Sequence, residues 1–442
     1  MNKYPPPSPH DTKYVWPIYS AFIIFLISPY FPAEIITFIN IYFMILVSIF
    51  FIIRRRVLPK SLFLIAGCFL LMIVTGTISS IDNNRDNYYK DVWYFFNPVL
   101  IIFIGYTFGC LSPNVTGIIK MFIYASTVQA IFHISNFIID PQLFSMTATD
   151  IRKEVGGGVL GAAVSFAFLL AALGDWRKSL KMPIYIFCIA FFLCAVSFIL
   201  SFSRTSIIAC LLMYFGLKGY LWGRHLGKLI AFSGILIILL ISISFSINSL
   251  TENNLSFLGK IMRIEQELTI ADFSDKTSIT LNFRGYETAR TLIAYKEGNI
   301  FNLFFGHGLG YEVDLGIYIP LAGKPQRYIT HLHNGIMFVL VKTGALGLVL
   351  FLYVFFWIFW RARKEIDTEN SGLKVNRIIQ GIVAFCLVST WIVSGPFNKS
   401  LLLGMEILLG FSLAILERKN LQRLQEAAKP CIERANTDPA IR

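Results

Sequence analysis

Apolar runs of membrane-crossing length recur along the whole chain. A helix rises about 1.5 Å per residue, so about 20 apolar residues span the hydrocarbon core of a bilayer. Lipid offers no hydrogen bonds, so such runs must satisfy their backbone groups internally, as helices. Composition agrees. Hydrophobic residues make up 55% of the chain, charged residues 15%, and the mean hydropathy is +0.64. Soluble domains carry about 25% charge. The pattern predicts an all-α polytopic membrane protein with twelve spans, near 15–32, 35–53, 61–81, 93–111, 118–138, 156–174, 183–202, 205–222, 229–247, 334–360, 378–395 and 400–416. The chain then divides into an N-terminal tail (1–14), spans 1–9 (15–247), one large loop (248–333), spans 10–12 (334–416) and a C-terminal tail (417–442).

The connecting segments set the orientation. "RRRVLPK" (54–60), "DWRKSLK" (175–181), "KGYLWGRHLGK" (218–228), "RARKE" (361–365) and "ERKNLQR" (417–423) are basic, and twelve spans place all five on one side. The excess of Lys and Arg in cytoplasmic loops makes that side the inside, with both termini on it. It also accounts for the net charge of +13 without nucleic acid. The seven cysteines form no C-x-x-C pair, so neither a disulfide framework nor a zinc site is expected. The proline-rich start reads as a short tail ahead of the first span, with no cleavable signal peptide.

The outer side receives "DNNRDNYYKD" (82–91), a segment near 139–155, the turn "SFSRTS" (201–206), "GPFNKS" (395–400) and the long loop. Within that loop, 282–299 has helical spacing and "GHGLG" (306–310) reads as a tight turn. Polar residues gather along this edge. Arg204 suits either a snorkelling arginine or a ligand-binding one. Arg284 and Arg290 lie on the loop helix, and for Arg290 a surface ion pair with Glu287 or Glu297 is the preferred reading. Arg152 and Lys153 read as flanking charges rather than a phosphate site. His331 and His333 lack companions at ligand spacing, so a metal site is a weak reading. A neutral imidazole here suits proton acceptance, and Asn334 could orient it or bind a sugar hydroxyl. Lys342 would be costly against lipid and is expected to face the bundle interior, while Gly344 and Gly347 admit a close helix neighbour. Arginine forks bind phosphate oxygens bidentately, so a lipid-linked diphosphate fits such a rim. No P-loop or DxD-like acidic pair accompanies it, which argues against nucleotide or divalent-metal dependence.

Residues 333–347 read His-Asn, nine residues, then Gly-Ala-Leu-Gly. This resembles the H-[N/S/Q]-x9-G-x-x-G pattern of the bacterial O-antigen ligase and polymerase superfamily. "SRTS" (203–206), "FRGYETARTLIAYKEGNIFNLFFGHGLG" (283–310) and the long loop before the histidine span resemble it too, so the likeness carries motifs over about 200–350. The resemblance implies a metal-independent, inverting glycosyltransferase without cofactors in the bacterial inner membrane, with its site on the periplasmic face. The donor would be an undecaprenyl-diphosphate-linked glycan. The acceptor would be another glycan or the lipid A-core. By motif position, Arg204 and Arg284 would hold the diphosphate and His333 would activate the acceptor hydroxyl. Asn334, Gly344 and Gly347 would complete the motif. His331, Arg290 and Lys342 receive no firm role.

Between repeat-unit polymerase and O-antigen ligase the reading leans to polymerase. An exopolysaccharide polymerase stays open, as does a chain-length regulator protein as a partner. A lipid-linked oligosaccharide flippase is the competitor from another class. It would need neither a folded outer loop nor a histidine at its base, and more often buries ion-coupling carboxylates, of which Glu406 is the clear candidate.

Overall fold

A computed structural model describes residues 59–111, 115–145, 160–201, 203–221, 282–321, 324–364, 374–397 and 402–437, with isolated positions between them. The tail 1–14, the spans expected at 15–32 and 229–247, nine residues of that at 35–53, loop residues 248–278, Arg152 and Lys153, and residues 438–442 lie outside the described residues, apart from isolated positions in the first span.

The described apolar runs are helices: α1 (Lys60–Ile78), α2 (Arg85–Leu111), α3 (Val115–Ile139), α4 (Leu160–Ala172), α5 (Ile184–Leu200), α6 (Arg204–Lys218), α9 (Gly335–Lys364), α10 (Val375–Val393) and α11 (Leu403–Thr437). The loop before α9 supplies α7 (Phe283–Glu297), α8 (Ile300–Phe305) and the strands β1 (Val313–Leu321) and β2 (Lys324–Ile329). Among the described residues five helices, α1, α2, α3, α9 and α10, are long and apolar enough to cross a membrane, and α4 and α5 are shorter apolar helices.

Helices α2 and α11 pack closely through glycines. A Cβ added at Gly105 or Gly410 would lie 2.2 or 2.0 Å from the partner's backbone carbonyl oxygen. Small residues permit such approach where lipid supplies no hydrophobic drive between helices. An aromatic core follows, in which Phe397 packs against Phe95 (5.0 Å), Phe338 (5.6 Å) and Phe351 (5.3 Å).

The two ends of the bundle differ chemically. At one end Glu417 of α11 accepts from Ser61 of α1 and from Tyr106 Oη of α2 (2.6 Å), and pairs with Arg361 of α9 (3.1 Å). Arg418 donates to the carbonyls of Gly109 (2.9 Å) and Cys110 (2.8 Å), satisfying acceptors at the C-terminus of α2. These residues border the basic segments at 54–60, 361–365 and 417–423. The opposite end gathers the C-termini of α1 and α10, the N-termini of α2 and α9, and the loop.

Several sequence expectations change. Helix α2 starts at Arg85, inside the stretch read as an outer connection, because the loop partners its polar residues. Asn87 donates to Glu312 (2.6 Å), and Asp91 is buried against Lys342. Helix α11 runs unbroken past 416 to Thr437, into the segment assigned to the C-terminal tail. Strands β1 and β2, unforeseen in the sequence reading, form an antiparallel pair with Val313 opposite Ile329 and an irregularity between Asp314 and Ile319.

Candidate functional site

The loop is a small scaffold laid on the bundle end. Val313, Leu315, Ile319 and Ile329 turn one face of the hairpin inward, following the two-residue period of a strand. Helix α7 packs on β1, where Tyr286 donates its hydroxyl to the Leu315 carbonyl and Arg290 Nε donates to the Asp314 carbonyl at 3.1 Å. Arg290 therefore serves the hairpin, and the expected ion pair with Glu287 or Glu297 is corrected. The Asp314 carboxylate takes two bonds from Arg327 (2.8 Å each), which hold its pKa down at about 2.

Strand β2 leads directly into His331–Asn334. Leu332 is fully buried and pins the segment, while Ser394 at the end of α10 donates its N–H to the His333 carbonyl and its hydroxyl to the Leu332 carbonyl (2.8 Å). The two histidines meet different surroundings. The His331 ring stacks on Tyr94 of α2 at 4.4 Å and touches Phe338 at 5.2 Å. The His333 side chain is 48% exposed, and its Nδ1 lies 2.8 Å from Glu287 Oε2. The other oxygen of Glu287 accepts the His333 backbone N–H at 2.5 Å. Phe283 meets the ring edge-on at 5.8 Å. Among the described residues no partner reaches His333 Nε2.

Asn334 is not the residue that orients His333. Its Oδ1 accepts the N–H groups of Ile336 (3.1 Å) and Met337 (3.2 Å), so it caps α9. Glu287 is the side chain the sequence reading passed over. Standing three residues after Arg284 and three before Arg290, it looked like a local ion-pair partner on a helix surface. Its burial, with the side chain 1% exposed, becomes visible only once the loop is folded against His333.

Lys342 lies two turns into α9, fully buried, 2.6 Å from Asp91 Oδ2, and it also donates to the Tyr311 carbonyl. Asp91 additionally accepts the Gly310 N–H at 2.6 Å. This ion pair joins α2, α9 and the loop turn, which is the interior placement expected for Lys342. The turn is held by Asn83, which donates to the His307 carbonyl at 2.9 Å and to that of Leu309 at 3.0 Å. Gly344 admits a close helix neighbour, α8, and also breaks its own helix, which the spacing did not announce. It sits at φ +69°, so α9 breaks there, and the Phe304 carbonyl occupies the space a Cβ would need. Gly347 leaves room for the Thr343 side chain of the preceding turn.

The arginines come from separate elements. Arg284 stands in the first turn of α7, one turn before Glu287. Arg204 opens α6, which Ser203 caps by accepting the Ser206 N–H at 3.3 Å. The C-terminus of α6 meets the N-terminus of α10, where Gly216 abuts Gly381 and Arg377 donates to the Leu217 carbonyl (3.2 Å). The two helices therefore run antiparallel. Arg204 lies about 18 Å along α6 from that contact, and Ser394 about 20 Å along α10. Both reach the end of the bundle that carries His333.

The end of the bundle thus offers a half-exposed imidazole with one nitrogen committed, and arginines on two separate elements, α6 and α7. Among the described residues no group of three or more His, Cys, Asp or Glu is placed to hold a metal. No curated protein matches the chain. A family model described as O-antigen ligase matches residues 189–352, from within α5 through α6, α7 and the hairpin into α9. That match spans every motif on which the resemblance rested, and it supports the likeness to the O-antigen ligase/polymerase superfamily.

Proposed function

We propose that the protein transfers glycan from undecaprenyl diphosphate to an acceptor sugar hydroxyl at the periplasmic face of a bacterial inner membrane. The observation that carries this reading is His333: it is half-exposed, with Nδ1 on a carboxylate and no described residue bonded to Nε2. The acceptor hydroxyl gives its proton to Nε2 as its oxygen bonds to the anomeric carbon of the donor sugar. The bond from that carbon to the diphosphate oxygen breaks, and the electron pair leaves with undecaprenyl diphosphate. Attack opposite the leaving group inverts the anomeric centre. Arg204 and Arg284 stabilise the charge that develops on the diphosphate. The lipid carrier supplies the activated sugar, so the reaction calls for no nucleotide. A twelve-span arrangement with both termini inside fits this chemistry, since it puts the basic end in the cytoplasm and the histidine end outside.

Two acceptors fit the same donor chemistry. Another lipid-linked repeat unit makes the protein a polymerase, and the lipid A-core makes it a ligase. The family match is compatible with both. Deletion of the gene separates them. Polymerase loss leaves lipid A carrying one repeat, ligase loss leaves none, and loss of an exopolysaccharide polymerase leaves the lipopolysaccharide unchanged.

The site itself is tested by complementing that deletion. His333→Ala is expected to insert normally and to lower glycan joining by about 10²–10⁴-fold, the usual contribution of a general base. Arg204→Lys keeps the charge but loses the planar fork, and is also expected to fail. Full glycan joining by well-expressed His333→Ala would remove the histidine from the mechanism.

A further inference from the structure

The contact between α7 and His333 does more than hold the loop down. Both oxygens of Glu287 face donors of the same residue: the His333 backbone N–H at 2.5 Å and the ring Nδ1 at 2.8 Å. The carboxylate is buried, while the ring it touches is half exposed. A carboxylate only accepts hydrogen bonds, so the proton of a neutral ring must reside on Nδ1. The lone pair is then on Nε2, the nitrogen that no described residue engages. A ring in the other tautomer would turn an N–H outward and could take no proton.

We infer that Glu287 is a positioning residue that fixes the tautomer and direction of the His333 ring, making Nε2 the proton acceptor. The inference rests on the proposed role of His333 and adds the group that sets its state. The backbone bond gives the carboxylate its aim, because the His333 N–H is held from behind by Ser394 on the same residue's carbonyl. The ring therefore has one bonded orientation. A structural consequence follows from Glu287 lying on α7. Arg284 is in the first turn of that helix and Glu287 one turn further on, so a single short helix carries both a donor-side arginine and the residue that sets the base. Tyr286 and Arg290 tie the same helix to the hairpin. Displacement of α7 would withdraw the arginine and unset the imidazole together.

The test uses Glu287→Gln in the full-length protein. Its amide oxygen can accept the fixed backbone N–H, and its NH2 group then faces Nδ1. That arrangement moves the ring proton to Nε2 while preserving shape. Two readouts are expected to move. With extracted lipid-linked glycan as substrate, kcat falls by about 10²-fold or more with KM little changed. Carbethoxylation of His333 by diethyl pyrocarbonate at neutral pH, followed by peptide mass spectrometry, slows by about tenfold, because its only lone pair is then capped by the amide. A merely structural role gives the opposite sign, since a loosened ring is modified faster. Glu287→Asp, which keeps a carboxylate, is expected to retain more kcat than Glu287→Gln. Should Glu287→Gln not fold, Glu287→Asp against Glu287→Ala makes the same comparison. Unchanged or faster carbethoxylation in Glu287→Gln overturns the inference. If instead His333→Ala keeps full activity, the reading of His333 as the base falls, and the carbethoxylation result still decides the Glu287 contact.

Discussion

Two histidines at this end of the molecule, His333 and His307, do different work, and the difference lies in what each ring nitrogen meets. His333 is half-exposed, with one nitrogen on a carboxylate and the other unengaged by any described residue. His307, in the glycine turn, has both nitrogens engaged: Nε2 lies 3.0 Å from the Ala294 carbonyl and Nδ1 lies 3.3 Å from Asn302 Nδ2. That pairing fits a neutral ring donating from Nε2 and accepting at Nδ1. Burial holds the His307 imidazole below its usual range, partly offset by the Ala294 carbonyl. The sign follows. A histidine depressed in the fold contributes stability above its ordinary value near 6.5, and that contribution is lost as pH falls through the lower folded value. The melting temperature of the detergent-solubilised protein is therefore expected to drop between pH 7 and pH 5, and His307→Gln is expected to flatten that slope. Equal slopes in the two proteins would take His307 out of the turn's stability. The resemblance singled out His333 and Asn334 by their place in the H-N-x9-G-x-x-G pattern. It did not reveal that the asparagine caps a helix while a glutamate 46 positions upstream holds the histidine, because that partnership exists only after the loop closes.

At the scale of elements, the buried pair between Asp91 and Lys342 explains both the early start of α2 and a lysine inside an apolar helix. Each charge is tolerable in the interior because the other is there, along with the Gly310 N–H and the Tyr311 carbonyl. Removing one partner of a buried pair costs about 3–5 kcal/mol, whereas removing both charges together often costs little. Lys342→Met is expected to lower folded yield and melting temperature sharply. Adding Asp91→Asn, which keeps an acceptor for Gly310, is expected to restore most of both. A double variant no better than Lys342→Met would mean that the pair is more than structural. This scale also marks what the sequence could convey. Apolar runs declare themselves through composition, so the described spans fell close to their expected positions. The hairpin was legible in principle from the alternation of Val313, Leu315, Ile317 and Ile319, but its strand period was passed over in a loop read for helix. The break at Gly344 had no local signal, since it exists to admit the Phe304 carbonyl from α8. Asp91 and Lys342 lie 251 residues apart, and nothing near either one names the other.

At the scale of the whole molecule, the bundle separates two chemistries along its length. Glu417, Arg361 and Arg418 tie helix ends together beside the basic segments, and the loop, His333 and the arginines stand at the far end. Such a division suits an enzyme that takes a membrane-borne donor and releases its product on one side. The most direct trial of the account is reconstitution of the purified full-length protein in lipid with an undecaprenyl-diphosphate-linked glycan, the proposed donor, together with a lipid A-core acceptor in a parallel reaction. Released undecaprenyl diphosphate and new glycosidic bonds are counted together, and the anomeric configuration of the new bond is read by NMR. The expected result is one diphosphate released per bond formed, with inversion at the transferred sugar and neither product from His333→Ala. Retention of configuration, or His333→Ala turning over like the native protein, would contradict it.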